Sequence, residues 1–305
     1  MPCPTLLPWT VLGLLLAPSV AGQTVRYLQT DVDEVRAGSE LRVHLTEERA
    51  GRWRRGAWPG NATGNATGAD TGADTGTGSD TNNDIEWLFL RSAGTQKNLH
   101  EAAPDDEAGE SFGMPVAEPG ICMVGLQPRA RVVNVPGPEL REFLALRLSP
   151  ETLPAGWREQ LPAAPVRVWH IESSKLLVRV RGAEDGSPPS ATAQSKAGQP
   201  VEIRLLADPT LVPLKHDLPL RVYLPGPRSA GILVLARHAD SGRVQSFFTD
   251  PRGTGFFTLT GPGWWTVEVH AVRPLPEDDT ADWELHTATL SFQVPARDNR
   301  KAVDR

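Results

Sequence analysis

Short apolar–polar alternations, rather than long helical stripes, organise most of this chain. Leu41, Val43 and Leu45 alternate with Arg42 and His44, a period of two that predicts a half-buried strand with His44 on its solvated face. Residues 85–90 and 121–126 are further apolar runs of strand length, and Cys122 within the second reads as a small buried hydrophobe. Residues 22–135 are therefore expected to form one β-sandwich. From residue 198 onward the signal is denser: segments 201–205, 218–223, 232–236, 245–249, 255–260, 264–272 and 287–294 are all strand-like and separated by turns. They predict a second sandwich over 198–295, with a tail at 296–305. Asp250, Pro251 and Gly253 occupy the preferred places of a type I turn, which makes Asp250 a turn former rather than a catalytic acid.

Between the two modules the period changes. Leu140, Phe143, Leu144 and Leu148 share one helical face, with Pro138 before and Pro150 after. Val166, Trp169, Ser173 and Leu176–Leu177 also fit helical spacing, which predicts a second helix over about 165–180. The β-branched residues at 178–180 leave a strand beginning there as the alternative. Residues 182–198 read as a linker. The fold class is thus mainly β: two immunoglobulin-like or carboxypeptidase-regulatory-like sandwiches, with one or two helices between them.

Composition adds an address and removes some functions. Residues 1–21 lack charge, are apolar from Leu6 to Leu16 and end in Ser19-Val20-Ala21, the pattern of a cleaved signal peptide. That apolar core falls short of the roughly 20 residues of a spanning helix, and no later stretch is long enough to span a bilayer. A periplasmic or secreted location is expected. Thirty-one basic against thirty-seven acidic side chains give a net charge of −6, which disfavours nucleic acid as a partner. Residues 59–84 repeat GNAT and GADT without a large apolar side chain and are expected to be a disordered insert. Asn61 and Asn65 head glycosylation sequons within it, and its aspartates match no calcium-loop spacing.

No nucleophile elbow, zinc-protease helix, phosphate loop or paired-cysteine motif occurs, so no catalytic residue is assigned and an enzyme is not expected. Of the seven histidines, His238, His270 and His286 fall in the second module. Strand parity puts His270 on a polar outward face and His286 on a core face, which argues against a three-histidine site. His216 beside Asp217 is a separate, weaker candidate.

Several stretches together resemble periplasmic proteins that carry domain of unknown function 4198, components associated with cobalt or nickel uptake. These are RVWHIESSKLLVRV (167–180), GQPVEIRLLADP (198–209), TDPRGTGFFTL (249–259), GPGWWTVEVHAV (261–272) and ADWELHTATLSFQV (281–294). The resemblance covers about half of the chain. The mature start here lacks the histidine with which such proteins often begin. The resemblance implies a non-catalytic binding or accessory protein of the cell envelope, tied to nickel or cobalt and working with a membrane transporter or another envelope protein. For a divalent ion, His270 with Asp282 is the expected pair of ligands: both lie in the resembling segments, His270 on the outward parity of its strand and Asp282 just before the last strand, and such ions accept mixed nitrogen and oxygen donors. The alternative is a structural or adhesion-like envelope protein that meets other proteins through its sandwich faces.

Overall fold

The structure is a computed structural model that describes residues 25–30, 34–49, 52–56, 85–99, 111–148, 153, 156–157, 161, 164–182, 191–225, 230–275 and 280–296. The expected signal peptide, the insert at 59–84 and the tail from 297 lie outside the described residues. In chain order the elements are β1 (Val25–Gln29), β2 (Glu34–Arg36), β3 (Ser39–Arg49), β4 (Arg52–Gly56), β5 (Ile85–Ser92), β6 (Thr95–Asn98), β7 (Ser111–Val116), β8 (Gly120–Pro128) and β9 (Arg131–Pro136). Helix α1 (Gly137–Arg147) follows, and then β10 (Pro165–Arg181), β11 (Glu202–Leu205), β12 (Asp217–Tyr223), β13 (Leu233–His238), β14 (Val244–Phe248), β15 (Thr254–Thr258), β16 (Gly263–Pro274) and β17 (Trp283–Val294). The mainly-β expectation holds, and α1 forms where the 140–148 spacing predicted a helix.

The second expected helix is instead β10, a strand of seventeen residues. Its central positions, 172–178, are buried without alternation, so the period of two that betrays a half-exposed strand is missing there. What drives the strand is its neighbours. On one edge residues 168–177 pair in parallel with β17, and residues 179–181 then pair in parallel with β2. On the other edge β9 pairs with residues 165–170 and β8 with residues 178–180, both antiparallel. A parallel pair requires a long crossover, and here the whole β11–β16 segment is that crossover.

The result is a ten-stranded sheet, ordered β14-β13-β16-β17-β10-β8-β5-β6 with β2 and β9 also on β10, to which both expected modules contribute. Alternate residues of its middle strands feed two different cores. Leu88, Leu90, Cys122, Val124, Leu176 and Val178 pack under the four-stranded β1-β3-β4-β7 sheet, against Leu28, Leu41, Val43, Phe112 and Met114. Phe89, Ile121, Met123 and Leu177 face the other way, toward the β11-β12-β15 sheet and its Ile203, Leu205, Leu218, Leu220 and Phe257. Helix α1 lies over the opposite end of β10, setting Leu140, Phe143 and Leu144 against Val166, Val168, Trp283 and Leu285. All nine positions of β8 are buried. Gly125 is required there, because a Cβ would fall 2.0 Å from the Phe89 ring. Burial pushes the Cys122 thiol up to about 12, so this side chain packs as a hydrophobe.

Two smaller expectations also change. His44 is buried, not solvated; at that position β3 is flanked by β1 at Gln29 and by β7 at Ser111. Residues 191–198, expected to be linker, begin with a 3-10 turn and place Ala193 and Ala197 in the core.

That turn covers an ion pair. Lys175 of β10 donates to Glu202 of β11 at 3.0 Å, and both side chains are 2% exposed. Glu202 also accepts from the Ala197 and Gly198 amides at 2.5 and 3.0 Å. Burial raises the Glu202 carboxyl, but the Lys175 charge and the two amides outweigh it and hold the group below its usual 4.5. Burial likewise lowers the Lys175 ammonium, against the pull of Glu202. Removing one partner strands a buried charge, which costs about 3–5 kcal/mol. Lys175→Met and Glu202→Gln are each expected to lose about that much in urea denaturation, and the double variant to recover most of it. Because the folded Glu202 value is depressed, its contribution is complete above pH 4.5 and is lost as pH falls through the folded value. The wild type should therefore lose more stability in acid than the double variant does.

Candidate functional site

Helix α1 roofs a row of polar side chains that cross three strands. Thr287 on β17 lies opposite His270 on β16 and Glu172 on β10. Its hydroxyl is 3.1 Å from His270 Nδ1 and 3.1 Å from His170 Nε2. Each imidazole is backed by a carboxylate. Glu268 Oε1 is 3.1 Å from His270 Nε2, and Glu172 Oε1 is 3.1 Å from His170 Nδ1. Arg147, the last residue of α1, holds Glu268, and Arg131 of β9 lies 3.8 Å from Glu172. Phe143 caps the His270 ring edge-on at 5.0 Å. Glu268–His270–Thr287 has the connectivity of a carboxylate–imidazole–hydroxyl relay. Thr287 is nevertheless only 6% exposed and His270 1%, so the row is shut beneath the helix and serves to fasten α1 to the sheet.

His270 is thus not on a solvated face: its parity is outward from the β11-β12-β15 core, but α1 covers that side. Asp282 is not brought to it. It stands five residues before Thr287 on the neighbouring strand, about 16 Å along it, and is bound to Arg167. Arg167 donates its amide to Oδ2 and its guanidinium to Oδ1, both at 2.8 Å, and the Asp282 amide donates back to the Arg167 carbonyl at 2.8 Å. The Arg167 hydrogen bonds hold the Asp282 carboxyl below its usual 3.8. The pair pins the start of the β10–β17 ladder. His286 points to the opposite face from His270, where its Nε2 meets Glu284, itself clamped by Arg273 at 2.7 and 2.9 Å. Burial lowers the His286 pKa against the pull of Glu284. His238 is engaged by Ser241 and the Pro262 carbonyl, and His216 by the Leu214 carbonyl. Among the described residues no three or more His, Cys, Asp or Glu are grouped to hold a metal ion.

Two open features remain. A cleft of about 490 Å³ forms where β17 leaves the sheet and β2 takes its place beside β10; Glu34, Arg179, Arg181, Asp240, Trp264 and Gln293 line it. Glu34 engages both arginines there. These residues come from five separate segments, and no local motif announces them. The second feature is the sheet edge at β14. Its sequence, Val-Gln-Ser-Phe-Phe, carries no charge. Phe247 folds inward over Gly255, where a Cβ would lie 2.3 Å from the ring. The Gln245 amide donates to the Thr258 carbonyl at 2.7 Å and accepts from its N–H at 3.0 Å, which seals the edge of β15. The edge of β14 itself pairs with no described strand on its outer side, and Val244 and Phe248 are 37% and 57% exposed.

No family model and no curated protein matches the chain. Among solved structures it is similar to a tetra-tandem repeat in the extending region of a large adhesion protein, at 12% identity and a TM-score of 0.20, with 90% of this chain and 50% of that chain covered. It is similar to dimeric latent PorU from Porphyromonas gingivalis, at 13% identity and a TM-score of 0.18, with 90% and 20% covered. A 1.5-MDa bacterial ice-binding adhesin gives 10% identity and a TM-score of 0.20, with 91% and 65% covered. The chain spans about half the length, or less, of the first two structures. At these scores the overlaps carry no functional conclusion.

The row under α1 makes a direct prediction. Thr287→Val keeps the shape but removes the hydroxyl that both histidines share, and leaving buried imidazole nitrogens unsatisfied costs about 1–3 kcal/mol. Urea denaturation should show that loss, and Thr287→Ser should restore most of it.

Proposed function

We propose that this chain is an exported, non-catalytic scaffold or binding module of the cell envelope that associates edge to edge with a second copy through β14. The observation that carries the reading is the open, uncharged β14 edge. Sheet proteins ordinarily protect such edges with charge, proline, a bulge or a covering element, and here the neighbouring β15 edge is sealed while β14 is left open. The strand is also self-complementary. A two-fold axis through Ser246 sets Val244 against Phe248 of the second copy on the exposed face, and Gln245 against Phe247 on the other. Apolar cross-strand pairs of this kind contribute about 0.2–1 kcal/mol each, and a closed two-fold pairing leaves neither strand open. Export rests on the residue 1–21 pattern. The nickel or cobalt association rests on the family resemblance alone.

Sedimentation velocity over a concentration series tests the proposal. The wild type is expected to pass from monomer to dimer, and Ser246→Lys, which sets two like charges face to face on the axis, to stay monomeric with an unchanged circular dichroism spectrum. A wild type that remains monomeric throughout, or a dimer that survives Ser246→Lys, would refute it.

A further inference from the structure

Ile203, Leu205, Leu220 and Val222 turn one face of the β11-β12-β15 sheet toward the core. The residues between them form the outer face, and there Arg204 and Arg221 stand directly opposite each other. Like charges in that relation are destabilising, yet more positive charge is gathered beside them. Lys196 Nζ lies 3.6 Å from the Tyr223 ring centre, and the Arg221 guanidinium lies 5.2 Å from it. Arg204 Nη1 donates to the Tyr223 hydroxyl at 3.3 Å. From the central sheet, Arg91 braces the adjoining loop: it donates to Ser195 Oγ at 3.0 Å and to the Lys196 carbonyl, and its other donors go to Gln96 Oε1.

Three cations thus surround one tyrosine in a chain whose net charge is −6. Among the described residues none of the three is ion-paired. Glu202, which precedes Arg204 by two residues, is taken up by Lys175 and two backbone amides. Arg221 Nε is buried without a hydrogen-bond acceptor. Arg204 Nε is taken by the Gln194 carbonyl, but no carboxylate among the described residues balances the positive charge of the rim.

We infer that this rim is a binding site for a tetrahedral oxyanion, phosphate or sulfate. Guanidinium groups present paired N–H donors that match such oxygens, and a lysine adds a mobile point charge. Arg204 and Arg221 reach the site from adjacent strands, while Lys196 approaches it from the loop after the 3-10 turn. That spread suits an anion with three or four oxygens better than a carboxylate with two. A bound anion would also relieve the Arg204–Arg221 repulsion. The ion is either free in solution or an ester carried on a polymer.

Titration calorimetry with sodium phosphate and sodium sulfate, against sodium chloride at matched ionic strength, tests the site, with dextran sulfate as the polymer-borne probe. Saturable binding of either inorganic ion, or of dextran sulfate alone, is expected, the latter assigning the polymer as the source. The double variant Arg204→Gln/Arg221→Gln should weaken it by about tenfold or more while keeping its urea midpoint. Arg252→Gln, on an exposed turn, should leave binding unchanged. Binding no stronger than chloride for all three probes, or equal binding in the double variant, would overturn the inference. Loss of β14 association by Ser246→Lys leaves this site intact, so the two proposals fail separately.

Discussion

The fold depends on one strand that is buried on both faces and paired along both edges. β10 accepts β17 and β2 on one side and β8 and β9 on the other. Its even-numbered side chains enter the cores under α1 and the β1-β3-β4-β7 sheet, and Lys175 and Leu177 turn toward the β11-β12-β15 layer. A strand in that position cannot be removed from one half of the molecule without opening the other. The Lys175–Glu202 pair sharpens the constraint: a buried ion pair is weak evidence of net stabilisation but penalises any arrangement that parts its members. It therefore fixes where the β11-β12-β15 sheet sits on the central sheet.

Where a strand has one solvated face, its pattern shows in the residues, and β12, β13 and β15 fall close to the alternating segments that predict them. The turn at Asp250 is legible for a local reason, since its carboxylate accepts from the Arg252 and Thr254 amides at 2.8 Å. β10 is not legible in this way. Its polar residues, Ser174 and Lys175 among them, are buried because partners over a hundred residues or a sheet away satisfy them: Thr289 for Ser174, and Glu202 for Lys175. A helical spacing of apolar residues then emerges by coincidence from a strand that is buried on both sides. The same non-locality misplaced His270. Parity gave its face correctly, but the cover supplied by α1 comes from a segment more than a hundred residues earlier. The position of Asp282 before the last strand suggests a free carboxylate, whereas it is taken by Arg167, a partner that only the β10–β17 register brings near.

The histidine–carboxylate row and the Lys175–Glu202 pair share a property: polar chemistry turned inward, each group answered by another. Such networks rigidify and specify a core when fully satisfied. Outward lie the charged cleft beside β2, an uncharged strand edge at β14 and a cation-rich tyrosine rim on the far sheet.

The central claim is that β10 makes one cooperative unit of segments that read as two modules in the sequence. Native-state hydrogen exchange followed by mass spectrometry along a denaturant series tests it most directly. The account predicts that peptides from β8, β10, β16 and β17 lose protection together, at the free energy of global unfolding. Separate transitions, with β8 opening well before β16 and β17, would contradict it.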